Sequence, residues 1–179
     1  MKLLRTIRLD PSDTFVFERA AEPGEWAVSG AFVFWNSDPA TLEGKARTAF
    51  RSGFLGVSTL GWSTLVQIVD ASESDRLEVT DRLAAQLMEK FGAPTRAEAL
   101  TAAEEEIGFV ESLCNQPSDT LIAVHRTFED GAVRESFRTL RPRSGAKPVR
   151  AFSFLEVEGE DEQPAEDVNL IAMVDRERK

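Results

Sequence analysis

Residues 120–141 read TLIAVHRTFEDGAVRESFRTLR, two alternating runs on either side of Asp130-Gly131. Asp-Gly favours a two-residue hairpin turn, because both central residues of that turn take positive φ. A loop of that length sets Glu129 opposite Ala132 and fixes every other pairing. One face then carries Ile122, Val124, Phe128, Val133 and Phe137, with Arg126 opposite Glu135 among them. The other carries Thr127 opposite Arg134, His125 opposite Ser136 and Ala123 opposite Arg138. The apolar face is the core face, since a slip of one residue would exchange the two. Arg126 and Glu135 are expected to neutralise each other on it, near its edge.

The segment before the hairpin reads as two helices. Ala71-Ser72-Glu73-Ser74 opens the first, in which Val79, Leu83, Leu87 and Phe91 recur four apart, with Ala84 and Met88 widening the stripe. Gly92 and Pro94 end it. Thr95 with Glu98 forms a capping box for the second, whose apolar face holds Leu100, Ala103, Ile107, Val110 and Cys114. The loop between them is short, so residues 79–114 form a helical hairpin. Glu104, Glu105 and Glu106 read as its wet side.

Nearer the N-terminus, Leu3, Ile7 and Leu9 alternate with Lys2, Thr6 and Arg8, the period of a strand, up to the turn Asp10-Pro11-Ser12-Asp13. Thr14–Arg19 and Trp26–Trp35 are rich in aromatic and β-branched residues and read as two further strands around Pro23-Gly24. Ser37 or Asp38 caps a third helix that has Pro39 at its first position and ends at Gly53. Residues 57–70 read as a strand, most firmly at Leu65–Asp70. Residues 149–157 read as the last strand, 159–167 as an acidic exposed loop, and Asn169–Val174 as a short apolar piece of either type. The elements add up to one α+β domain over 1–179, with a mainly antiparallel sheet of about five to seven strands and three helices. There is no internal repeat, heptad run or dividing linker.

Composition removes more functions than the motifs add. The chain has 179 residues, 42% hydrophobic and 29% charged, with one His, one Cys and no Tyr. A structural zinc site takes about four Cys or His ligands and a catalytic one usually at least two His, so Cys114 and His125 make neither. No metal and no cofactor is expected. One thiol allows no intramolecular disulfide, and the charges at positions 2, 5, 8 and 10 break any signal sequence, so a cytoplasmic location is expected. No run approaches the roughly 18 apolar residues of a membrane span. With 21 basic and 31 acidic groups the net charge is −10, which opposes nucleic acid. The charge is uneven: residues 1–60 carry 7 basic and 7 acidic groups, 61–120 carry 4 and 12, and 121–179 carry 10 and 12. Arg126, Arg134, Arg138, Arg141, Arg143, Lys147 and Arg150 form a basic strip between two acidic stretches.

Candidate site residues follow from that strip. Arg134 and Arg138 stand about 13 Å apart on one strand and can span a dicarboxylate, a phosphorylated ligand or an acidic surface, with His125 beside them. An ordinary solvated strand face has the same pattern. His125 opposite Ser136 is not a hydrolase pair, because a nucleophilic Ser needs a sharp exposed turn and an oxyanion hole. Cys114 closes a helix, where the dipole disfavours a thiolate, and reads as a buried structural residue. Gly53–Ser63 holds three Gly but neither the strand-to-helix context of a dinucleotide fingerprint nor the Lys of a phosphate loop. Trp62 within it can form a wall of a ligand or partner pocket. Trp35, at a strand end, is the Trp most expected to be partly exposed. Carboxylates abound without a distinct acid–base pair.

The runs MKLLRTIRLDPSDTFVFERAAEPGEWAVSGAFVFW, FLGVSTLGWSTLVQI and DRLAAQLMEKFGAP resemble a family of uncharacterised bacterial proteins of this size, over nearly the whole chain. The resemblance implies a self-contained cytoplasmic bacterial domain and carries over no functional residue. The leading reading is therefore a non-enzymatic interaction or accessory protein with another protein as partner. A binding module for an anionic small molecule, on Arg134, Arg138, His125 and Trp62, is the alternative. An enzyme working through carboxylates comes third, and a homo-oligomer stays open.

Overall fold

The structure is a computed structural model and describes residues 1–142 and 155–158. Among the described residues eight strands form a single sheet: β1 (Lys2–Ile7), β2 (Trp26–Val28), β3 (Phe54–Gly56), β4 (Trp62–Ser63), β5 (Leu65–Asp70), β6 (Leu121–Glu129), β7 (Ala132–Pro142) and β8 (Leu155–Glu158). Their order is β4-β3-β2-β1-β5-β6-β7-β8, with each neighbour antiparallel. The same residues hold four α-helices: α1 (Asp13–Val16), α2 (Gly44–Ser52), α3 (Glu73–Phe91) and α4 (Arg96–Leu113). The α+β class and the antiparallel sheet are those the sequence predicts.

The β6–β7 hairpin has the predicted register, from Glu129 opposite Ala132 to Leu121 opposite Leu140. Asp130 and Gly131 both have positive φ, 53° and 75°, as a two-residue turn of this kind requires. The helical hairpin is also as predicted. Ser72 and Asp75 cap α3 reciprocally, Gly92 ends it in the left-handed region, and the Thr95 hydroxyl accepts from the Glu98 N–H at the start of α4. Val79, Leu83, Ala84 and Leu87 of α3 are buried with Ala99, Ala103, Ile107 and Val110 of α4, and α4 packs on β1 and β2.

The segment 13–53 differs from its reading. Asp13–Val16 is a helical turn rather than a strand, because the buried Asp13 carboxylate accepts from the Thr64 N–H and hydroxyl and pins the chain there. Phe15 is consequently exposed while Phe17 enters the core. The predicted strand 26–35 stops at Val28. Gly30 takes φ 78° and turns the chain into a 3-10 segment, Ala31–Phe34. A Cβ at Gly30 would lie 2.6 Å from Leu55 Cβ, so the approach that ends β2 needs glycine. The predicted helix 38–53 is two pieces, a 3-10 turn Pro39–Thr41 capped by Asp38, and α2, which begins at Gly44. Within the predicted strand 57–70, only β4 and β5 are strands. Of the predicted strand 149–157 the described part is Leu155–Val157, in β8, which pairs with β7. The loop 159–167, the piece Asn169–Val174 and Arg143, Lys147 and Arg150 lie outside the described residues.

The sheet curls. Four strand spacings separate β2 from β7, about 19 Å across a flat sheet. Yet the hydroxyl of Ser29, next after β2, donates to Glu135 of β7 at 2.6 Å. Phe54 of β3 likewise meets Phe137 of β7 at 6.2 Å between ring centroids. The core lies inside this curl and under the helical hairpin.

Candidate functional site

Arg126 occupies the middle of the curl. It was expected near the edge of the hairpin's core face; instead it is 0% exposed, because each of its N–H groups finds an acceptor inside the fold. Nε donates to Glu135 Oε1 at 2.6 Å, Nη1 to the carbonyls of Phe50 (3.0 Å) and Gly53 (2.7 Å), and Nη2 to the carbonyl and hydroxyl of Ser29. Phe50 and Gly53 lie at the C-terminal end of α2, where helix carbonyls lack partners and favour a cation. The guanidinium thus joins α2, the end of β2 and the hairpin. Committed on every side, it has no donor left for a ligand.

A cavity of about 340 Å³ opens at the turn between α3 and α4. Its walls are largely apolar: Phe32 from the 3-10 segment, Trp35 after it, Leu87 and Phe91 of α3, the turn Gly92-Ala93-Pro94, and Ala102 of α4. Phe32 and Phe91 meet edge to face at 5.3 Å, and Trp35 is 75% exposed. Glu105 and Glu106 supply the charge. Glu105 is exposed, whereas Glu106 is half-buried, and its Oε2 is shut off from solvent with no hydrogen-bond partner. Burial pushes the Glu106 carboxyl up to about 7; the charges of Glu135 and Glu105 add to the rise and Arg126 opposes it.

This corrects the reading of Glu104–Glu106 as a wet run at Glu106 alone, since Glu104 and Glu105 are exposed. A signal for it lies in the spacing: Ala99, Ala103, Glu106 and Val110 fall in one i, i+4, i+7, i+11 row, and the other three are fully buried. A charged residue inside an apolar row is a candidate for a tuned carboxyl.

The predicted site residues are placed as follows. His125, Arg134, Ser136 and Arg138 share the outer face of the hairpin and are exposed. The Ser136 hydroxyl donates to the His125 carbonyl at 3.2 Å rather than meeting its ring. Arg134 lies 3.8 Å from Glu129 and 3.9 Å from Asp130 at the hairpin tip. Trp62 is not brought to them: it is buried and stacks on Phe34 at 5.3 Å. The glycines around it serve this packing, since a Cβ on Gly53 would sit 2.6 Å from the Trp62 ring. Beside the hairpin lies a second cavity, of about 230 Å³, lined by Arg47, Phe50 and Arg51 of α2, Pro39, Ala40, and Arg126, Thr127 and Phe128 of β6. Cys114 is buried at the end of α4, and burial pushes its thiol up to about 12. Among the described residues no group of three His, Cys, Asp or Glu could hold a metal ion, and no helix is long and apolar enough to cross a membrane.

These features define an α+β protein whose antiparallel sheet curls around a buried arginine paired with the half-buried Glu135 and whose helical hairpin carries an apolar, carboxyl-bearing cavity at its turn. The chain belongs to a family of unknown function, DUF6505, whose family model matches residues 1–154. Neither a curated protein nor a solved structure matches it.

Proposed function

We propose that this protein is a non-enzymatic interaction module that takes an apolar group of another protein into the cavity at the α3–α4 turn. The observation that carries the reading is Trp35, largely exposed on the rim of a mostly apolar hollow. Exposed aromatic side chains beside concave apolar surface are the usual anchors of protein interfaces, because they bury much area at little entropic cost. The hollow is also of a size that holds a side chain or small ligand. The single buried thiol supports a reducing compartment, the cytoplasm, as the place of work.

Co-purification from the native host at low salt, compared between wild type, Trp35→Ala and Ala102→Trp, tests the reading. One partner should appear in stoichiometric amount with the wild type and be lost from both variants at unchanged melting temperature. A partner retained by both variants, or none at all, contradicts it.

A second reading, a module for an anionic small molecule, rests on Arg47 and Arg51. They stand one turn apart on α2, both line the second cavity, and neither makes an ion pair among the described residues. They would offer two guanidinium groups at one cavity of an otherwise acidic molecule, on the side of the hairpin opposite to the outer-face residues Arg134, Arg138 and His125. A thermal-shift screen of phosphates and dicarboxylates tests it: ligand at about 100 times its dissociation constant stabilises by about 2.7 kcal/mol. An undiminished shift in the double variant Arg47→Ala, Arg51→Ala would place any anion elsewhere.

A further inference from the structure

We infer that the cavity at the α3–α4 turn is a receptor for an alkylammonium group, with Glu106 as its counter-ion. The inference rests on the reading of this cavity as a binding site and names the chemistry of what enters it.

The charges around Glu106 do not balance. Arg126 and Glu135 pair at 2.6 Å and cancel, and the remaining N–H groups of Arg126 are spent on Phe50, Gly53 and Ser29. Glu105, the other charged residue of the cavity wall, has the same sign as Glu106. α3, the 3-10 segment and the turn present only Phe32, Trp35, Leu87, Phe91, Gly92, Ala93 and Pro94 there. Ionised Glu106 therefore has no cation of its own in the cavity, and its Oε2 accepts no hydrogen bond. A buried charge in that state is costly until something positive arrives.

The walls decide which cation. Ca²⁺ takes about six to eight oxygen ligands and Mg²⁺ keeps most of its water, whereas this cavity offers two carboxylates in an apolar shell. Three aromatic side chains, Phe32, Phe91 and Trp35, instead line the one opening, the surroundings in which an organic ammonium gains cation–π attraction while its alkyl part is buried. Glu106 supplies the charge, the rings the selectivity for an organic cation, and the volume of about 340 Å³ the room for its chain.

Such a head arrives either on a free amine or on a lysine side chain of a partner. Isothermal titration with n-butylammonium, n-butanol, butyrate, Nα-acetyl-lysine amide and its ε-trimethyl form separates these cases. Butylammonium should bind at least about tenfold more tightly than butanol, and butyrate not at all. Glu106→Gln should abolish that preference and leave butanol binding unchanged. Phe91→Leu, which keeps apolar volume and loses the ring, should weaken the ammonium more than the alcohol. Affinity for butylammonium should rise as pH passes upward through about 7, with a proton released on binding below it. Tighter binding of a lysine derivative assigns the head to a protein side chain, and tighter binding of butylammonium to a free amine; both support the site. Butanol binding as tightly as butylammonium, or a preference that survives Glu106→Gln, overturns the inference while the cavity remains a binding site. No binding by any probe overturns both.

Discussion

Glu106 and Arg126 are both charged residues on apolar faces, and their surroundings treat them oppositely. Arg126 meets an acceptor at each N–H, so its charge is satisfied within the fold. Removing Glu135 leaves the buried guanidinium without its counter-charge, and Glu135→Ala should destabilise by about 3–5 kcal/mol in chemical denaturation, a loss under about 1 kcal/mol being the contrary result. Glu106 has no such set of partners. Its carboxyl, ordinarily near 4.5, titrates near 7 in the folded state. Below about pH 4.5 folded and unfolded chains both hold this proton and it costs nothing. Between there and about 7 the unfolded chain has released it and the folded one has not, so stability falls as pH rises. Wild type should therefore lose of order 3 kcal/mol relative to Glu106→Gln between pH 4.5 and 8. Parallel stability–pH curves for the two proteins would contradict the burial. Cys114, with its thiol raised to about 12, should resist iodoacetamide at pH 8 until denaturant is added.

Among elements, those whose signals are short-range and redundant were legible. The β6–β7 register follows from one Asp-Gly pair and two alternating runs that agree with it, so even the Arg126–Glu135 pairing could be read. The α3–α4 hairpin was marked by four-residue spacing and by caps at both helices. Residues 14–35 were not legible in the same way. TFVFER and WAVSGAFVFW suit a strand by composition, but the contacts that decide against one are distant in sequence: Asp13 with Thr64, and Gly30 with Leu55 and Trp62. The cavity lies partly on that misread stretch, through Phe32 and Trp35, which is why the sequence offered the exposed Trp35 without its surroundings. At this scale the turn chemistry is testable. Gly131→Ala should cost about 1 kcal/mol, because a Cβ is disfavoured at φ 75°, and no change in the denaturation midpoint would count against the turn.

Over the whole molecule, the acidic excess and the position of the site come together. The middle third, with 4 basic and 12 acidic groups, contains α3 and α4 and so carries the cavity. A positively charged partner would be drawn toward that end and an anion toward Arg47 and Arg51 of α2, with both attractions weakened by salt. What remained out of reach of sequence was the curl, which depends on Ser29 and Phe54 meeting β7 across the sheet and which turns a hairpin arginine into the centre of the core. The two candidate surfaces lie on different elements, so their amides report separately. The most direct measurement is amide chemical-shift mapping of the isotopically labelled protein as n-butylammonium is added. Saturable shifts should concentrate at residues 31–35, 91–95 and 102–106. Shifts confined to α2 and the outer face of the hairpin, around Arg47, Arg51, His125, Arg134 and Arg138, would contradict the account.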